Sequence, residues 1–253
     1  MQIVQTENLV IGYHNKTIGK PFSFQLEEGK LYTLIGKNGM GKSTLIKTMS
    51  RLLPPISGTI ELENTSLQQL SNEQFAQTIS FVFTNQPVNK ELSVYELIAL
   101  GRQPYTNWMH QLDANDEKII EESIEVTQLK ALQDKKLHQL SDGQLQRAFV
   151  ARAIAQDTKI ILLDEPSNHL DLYHKVQLFR LLKQLCITQN KCILFSCHDL
   201  DLALQLSDGM LVIKEENNYF DTPDALINQG IFDHFFDDDQ IVFNKEQKRF
   251  LIL

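Results

Sequence analysis

The chain's residue pattern predicts an α/β fold: a parallel sheet covered by helices on both faces, with a helical insert in its middle. Three observations carry that prediction. A glycine-rich turn, Gly36 to Thr44, stands between an apolar run and a helical pattern. Two unbroken apolar runs, Lys159 to Leu163 and Lys191 to Ser196, flank a helical stretch near Tyr173 to Cys186, and such alternation implies parallel strands buried on both faces. From about 87 to 156 no good strand can be found, while helical periodicity recurs.

Taken in order, the first third reads as strands. Ile3 to Ile11, Phe22 to Leu26, Leu31 to Ile35 and Gly58 to Leu62 are short apolar or alternating runs separated by Gly, Pro, Asn and charged turns. A helix runs from Ser43 to about Arg51, and Pro54-Pro55 stops it. The strand Ile79 to Phe83 leads into Asn85-Gln86-Pro87. Helical segments follow at Ser93 to Arg102 and Asp113 to Leu129, the latter with Ile119, Ile120, Ile124 and Val126 against an acidic face. A third helix starts around Ser141. The Asp237-Asp238-Asp239 run reads as a solvated turn.

The bulk numbers limit the function classes. With 253 residues, 42% apolar and 22% charged, the chain can bury a sizeable core without staples. A net charge of −8 argues against a nucleic-acid partner held by broad phosphate neutralisation. Cys186, Cys192 and Cys197 are odd in number and form no CxxC pair, so buried reduced thiols in a reducing compartment are expected. The N-terminus lacks a secretory pattern, and no apolar run approaches the ~20 residues of a spanning helix. A cytoplasmic location is therefore expected, with any membrane role exercised through a partner.

The turn GKNGMGKST matches G-x-x-x-x-G-K-[ST] in the required strand-loop-helix context. Its members are Gly36, Lys37, Asn38, Gly39, Met40, Gly41, Lys42, Ser43 and Thr44. The glycines let successive N–H groups point inward at anionic oxygens, where a helix N-terminus adds positive charge. Lys42 can reach β- and γ-phosphates, and the Ser43 hydroxyl can ligate Mg²⁺. The run KIILLDEP ends in adjacent acids on the strand edge where parallel sheets bind ligands. Asp164 suits the Mg²⁺ shell, and Glu165 suits orienting or deprotonating an attacking water. The run Ile193 to Ser196 likewise leads to His198, placed to contact the γ-phosphate and that water. His169 and His174 have no comparable context.

The phosphate loop, the acidic strand end, the terminal His and LSDGQ, in this order, resemble the ATP-binding subunit of ABC transporters over nearly the whole chain. The resemblance implies a P-loop NTPase (RecA-like) core with an antiparallel β flank and an inserted helical subdomain. The core would comprise residues 1–86 and 157–253, and the subdomain, carrying the signature motif, residues 87–156. ATP and Mg²⁺ would be the cofactors. Tyr13 lies where the family stacks an aromatic on adenine, and Gln86 matches the glutamine that touches the metal and senses the membrane partner. SNHLD, ending in Asp171, matches the loop that communicates across the dimer. Ser141, Gly143 and Gln144 match the signature, which contacts the γ-phosphate of ATP bound to the opposite subunit. The implied assembly is an ATP-bound, head-to-tail homodimer at the cytoplasmic face of the inner membrane. It would dock on multi-span permease subunits and serve, indirectly, an extracytoplasmic cargo-binding protein.

LSVYELIALGRQPY, Leu92 to Tyr105, looks like the subgroup serving importers of iron-siderophore complexes, haem and vitamin B12. The chain ends soon after the core, without the C-terminal regulatory domain of some sugar and amino-acid importers. The alternative is a non-transport ABC ATPase such as an iron–sulfur cluster assembly scaffold subunit. A P-loop kinase or GTPase is opposed by LSDGQ followed closely by ILLDEP, and by the lack of an N-K-x-D loop. One position departs from the family pattern. Asp142 stands in the signature where Gly is usual, and it adds a like charge where a γ-phosphate is expected. The spacing of Ser141 and Gln144 is that of a capping box, which puts Asp142 in the first turn of a helix, favoured by the macrodipole.

Overall fold

A computed structural model describes residues 1–14, 16–83, 87–107, 109, 111–168, 170–233, 235–236 and 240–253. The chain opens with two long antiparallel strands, β1 (Gln2–Tyr13) and β2 (Lys16–Glu27). The sequence expectation starts the second strand at Phe22. Residues 16–21 are mostly exposed and lack an apolar face, so pairing with β1 alone makes them strand. Pro21 is tolerated because β2 is an edge strand.

Strand β3 (Leu31–Gly36) is wholly buried and feeds through the glycine-rich turn into α1 (Lys42–Met49). Strands β4 (Ser57–Leu62) and β5 (Thr65–Ser66) complete a four-stranded antiparallel sheet in the order β2-β1-β4-β5. Helix α2 (Asn72–Thr78), closed by a Ser71/Gln74 capping box, leads to β6 (Ile79–Val82).

Among the described residues, three α-helices then intervene before the sheet resumes. They are α3 (Val94–Ala99), α4 (Ala114–Val126) and α5 (Asp142–Ala155), each with a capping box, at Ser93/Glu96, Asp113/Asp116 and Ser141/Gln144. The expected helix 93–102 ends at Ala99 and tightens into a 3-10 helix, Leu100–Tyr105. Gly101 allows this turn to press on α5, since an added Cβ would lie 2.4 Å from the Arg152 carbonyl oxygen. Arg102 is buried; its Nε donates to Asp116 Oδ1 at 2.8 Å and its Nη1 to the Ala155 carbonyl at 2.9 Å. Its guanidinium carbon also sits 4.1 Å from the Tyr105 ring centroid. One side chain thus ties all of these elements but α3 together.

The α/β alternation then runs β7 (Ile160–Leu163), α6 (Leu172–Gln189), β8 (Cys192–Ser196), α7 (Leu200–Leu206) and β9 (Gly209–Ile213). The chain finishes with β10 (Asn218–Asp221), α8 (Pro223–Asn228) and a hairpin of β11 (Ile241–Asn244) and β12 (Arg249–Ile252). The main sheet has the order β10-β9-β3-β8-β7-β6, parallel throughout except for β10.

Alternation along β7 and β8 divides the core. Ile161, Leu163, Ile193 and Phe195 face α5 and α6, whereas Ile160, Leu162, Cys192 and Leu194 join a second cluster with α1 and the antiparallel sheet. A third, phenylalanine-rich cluster gathers Phe232, Phe235, Phe236, Phe243 and Phe250 beside α7. The three cysteines are buried thiols. Burial pushes Cys186 up to about 12 and Cys197 up to about 11, so both stay protonated near neutrality. The acidic run 237–239 lies outside the described residues.

Candidate nucleotide site

The parallel register brings the ends of β3, β7 and β8 to one sheet edge, with Leu34 opposite Ser196 and Leu163 opposite Phe195. The glycine-rich turn leaves β3 at that edge. Gly39 and Gly41 have φ of 80° and 101°, conformations that L side chains rarely adopt. At Gly41 a Cβ would also lie 2.8 Å from Ile18 Cγ2, so the loop has both a backbone and a packing reason for glycine there. Lys42 opens α1 and is buried, its Nζ donating to the Gly36 carbonyl at 2.8 Å and to the Lys37 carbonyl at 3.3 Å. Burial pulls its ammonium below the ordinary value, while the charges of Glu165 and Asp164 act in the opposite sense. A cation stored on its own loop's carbonyls can exchange them for anionic oxygens at little cost in reorganisation.

The two acids after β7 diverge. Asp164 Oδ1 accepts from Ser43 Oγ at 3.0 Å and from Ser196 Oγ at 2.8 Å. Ser43 and Asp164 form a pair of oxygen donors beside the phosphate loop, the chemistry a hard divalent cation such as Mg²⁺ takes, with water and phosphate filling its other positions. Glu165 turns away with φ 51°. Its N–H donates to Ser196 Oγ at 2.8 Å, its Oε1 lies 2.6 Å from His198 Nε2, and its Oε2 accepts from Asn168 Nδ2. Asp164, Glu165, His198, Lys42 and Ser43 therefore converge, as the sequence reading expects. Sequence reasoning missed Ser196, the buried hydroxyl that separates the two acids. Its signal was a polar residue ending an otherwise apolar strand. It also left Asn168 without a role, although the residue lies inside SNHLD.

The remaining candidates lie at greater remove. Tyr13 ends β1 with its ring partly exposed, and its hydroxyl accepts from Thr44 Oγ1 at 3.5 Å, which places an aromatic face beside α1. Gln86 lies outside the described residues. Ser141 caps α5, accepting from the Gln144 N–H at 3.3 Å while its own N–H donates to Gln144 Oε1 at 3.1 Å. Asp142 is exposed in the first turn. A Cβ at Gly143 would lie 2.9 Å from Leu170 Cδ2. Asp171 caps α6, accepting from the His174 N–H at 2.9 Å and meeting His174 Nδ1 at the same distance. The bond from the His174 backbone leads the causes that hold the Asp171 carboxyl below its usual range. His174 thus has a context after all, as the partner of that cap.

A glycine loop with a buried Lys, a Ser–Asp oxygen pair and a carboxylate at the neighbouring strand end, on a parallel sheet, define the class of P-loop nucleoside triphosphatases. Within that class, residues 20–168 match the family model described as ABC transporter, and the chain belongs to that family. It is an ABC-type ATPase that binds ATP, and it is the kind of subunit that dimerises and works with membrane permease subunits. Among relatives, the iron(3+)-hydroxamate import ATP-binding protein FhuC of Bacillus subtilis is 35% identical over 85% of this chain and 80% of its own length. The petrobactin import ATP-binding protein YclP of the same organism is 34% identical, covering 93% of each. The solved structure of cbiO1 from Clostridium perfringens, part of the ABC transporter complex cbiONQ, superposes with a TM-score of 0.77 at 26% identity, covering 90% of this chain and 91% of that one. A nucleotide-free ATP-binding cassette at 24% identity, with a TM-score of 0.80 over 92% of this chain and 96% of that one, shares the fold.

Proposed function

We propose that this chain hydrolyses ATP to power an importer whose cargo is an iron-siderophore complex, haem or a cobalamin-type molecule. The observation that carries the hydrolytic reading is the convergence of Lys42, the Ser43–Asp164 pair and the Glu165–His198 contact on one sheet edge. The cargo class is supported by relatives named for ferric hydroxamate, petrobactin and achromobactin transport, all 34–35% identical over most of this chain. ALGRQPY adds to that support. No described helix is long and apolar enough to cross a membrane. As an ATP-binding subunit of this family, it would lie peripherally on the cytoplasmic face, against permease subunits that contact residues near Gln86 and the helical insert of about 87–156.

In this mechanism the loop N–H groups cradle the phosphates, and Lys42 leaves the Gly36 and Lys37 carbonyls for the β- and γ-phosphate oxygens. Tyr13 stacks on the adenine. Ser43 and Asp164, with Gln86, would hold Mg²⁺, and the chemistry it would supply is neutralisation of the charge on the phosphate oxygens. Glu165 takes the proton of the attacking water as its oxygen bonds to the γ-phosphorus, and ADP departs with the bridging oxygen. His198 steadies the Glu165 carboxylate. The capped start of α5 (Ser141, Gly143 and Gln144) faces the γ-phosphate of the opposite subunit, and Asp171 lies in the segment joining the two sites. Positioning and electrostatics supply most of the acceleration.

The test is Glu165→Gln. It is expected to bind ATP normally, to lose at least about 100-fold in steady-state turnover, and to accumulate as an ATP-bound dimer. Turnover near the parent level would remove the assignment. For cargo, a strain lacking this chain should fail to grow on ferric chelates as sole iron source while still using inorganic iron. Normal growth on such chelates, haem and cobalamin would refute the cargo class.

A further inference from the structure

Asn168 is a polar side chain of this site to which the mechanism above gives no task. It lies three residues after Glu165 and is partly buried. Its side-chain amide donates to Glu165 Oε2, and its backbone N–H donates to the Glu165 carbonyl at 3.1 Å, closing a turn over Pro166 and Ser167. The other carboxylate oxygen faces His198 Nε2 at 2.6 Å, and the Glu165 N–H is taken by Ser196 at 2.8 Å. The Glu165 backbone, with φ 51°, occupies the left-handed region, which a non-glycine residue adopts at a cost. Every polar handle of this residue is thus held by a neighbour, on a backbone that would relax if released.

The terminal torsion of a glutamate is broad and nearly two-fold, so one donor on one oxygen leaves the carboxylate free to swing. Donors on both oxygens remove that freedom. Each carboxylate oxygen has a second lone-pair direction, so the two contacts orient the group without saturating it. From this arrangement we infer that Asn168 is a positioning residue for ATP hydrolysis: its amide fixes the Glu165 carboxylate so that a remaining lone pair meets the attacking water. The inference rests on the reading of Glu165 as the base. The turn itself does not need the amide, because the bond that closes it comes from the Asn168 backbone.

That separation makes the role testable in the full-length chain. Asn168→Ala removes the donor, Asn168→Asp keeps the size and turn preference but replaces the donor with a like charge, and Asn168→Ser restores a shorter donor. The kcat for ATP is expected to fall about tenfold in Asn168→Ala and further in Asn168→Asp, with partial recovery in Asn168→Ser. KM for ATP should stay within about twofold of the parent, since an interaction that only aligns the reacting base leaves ground-state binding intact. Asn168→Ala and Asn168→Asp should also retain ATP-bound dimer, as Glu165→Gln does. Parent-level kcat in Asn168→Asp would overturn the inference, as would a loss shared between kcat and KM or an equal loss in all three variants. Glu165→Gln separates the two failures. If it keeps turnover, the base assignment is wrong; if it is inactive while Asn168→Ala and Asn168→Asp turn over normally, only the role of Asn168 falls.

Discussion

Replacing Asp116 with Ala isolates the tie that holds the helical insert together. The Arg102 and Asp116 side chains are only 4% and 6% exposed, and their 2.8 Å contact is supplemented by one bond from Arg102 to the Ala155 carbonyl. Removing the carboxylate leaves a buried guanidinium with a single carbonyl and the Tyr105 ring for company, and breaking such a pair from one side costs about 3–5 kcal/mol. The variant also loses the Asp116 half of the Asp113 capping box, where its Oδ2 accepts from the Asp113 N–H at 3.1 Å. For a chain of this size a loss of about 4 kcal/mol corresponds to a Tm lower by about 8–16 °C. Burial raises the Asp116 carboxyl, but the bonds from Arg102 and the Asp113 backbone outweigh it, and the net value lies below the ordinary one. A group depressed on folding contributes stability above its unfolded value, near 4, and that contribution fades as pH falls through the folded value. Thermal unfolding by circular dichroism at pH 7 and at pH 3 should therefore show a gap between parent and variant that narrows in acid. A gap under about 1 kcal/mol at pH 7, or one that widens in acid, would refute the reasoning.

Two further substitutions probe the site. Ser196→Ala removes a fully buried hydroxyl and leaves the part-buried Glu165 N–H without its partner, which is expected to cost about 1 kcal/mol in urea unfolding together with a clear drop in kcat; parent-like values in both would show that the hydroxyl does not set the two acids apart. Asp142→Gly removes an exposed carboxylate from the helix start where the γ-phosphate is expected; with the side chain pointing away, its residual field still opposes closure, so ATP-driven dimers of the Glu165→Gln background should tighten by a few-fold in sedimentation. An unchanged or weaker dimer would count against a repulsive Asp142.

What could be read from sequence follows the range of the interactions involved. The capping box of Ser141 and Gln144 and the positive φ of Gly39 and Gly41 are decided within a few residues, and local spacing revealed them. Convergence of Asp164, Glu165 and His198 was readable because strand ends in a parallel sheet share an edge. The first half of β2 was not, since its exposed residues become strand only by pairing with β1. β9 carries the same unbroken apolar run as β7 and β8 and was readable without being read. β10 is half-buried and takes its order from pairing with β9, and the mixed faces of the β11–β12 hairpin are ordered through Phe243 and Phe250 against Phe232 and Phe235. Ser196 bridges two acids more than 30 residues away in sequence, so the polar end of an apolar strand marks the residue while its partners come only from the fold. The Arg102 tie explains what ALGRQPY does inside the fold, a meaning that composition alone could not supply.

The central claim is that each ATP site is shared between two copies of this chain, with the phosphate loop from one and the Ser141 helix start from the other. Lys42→Ala and Ser141→Arg should each abolish ATPase activity alone. Mixed in equal amounts they form heterodimers in which one of the two sites is intact, so activity should recover to about a quarter of the parent level if the sites act independently. No recovery, with heterodimers demonstrated by cross-linking, would contradict the shared site.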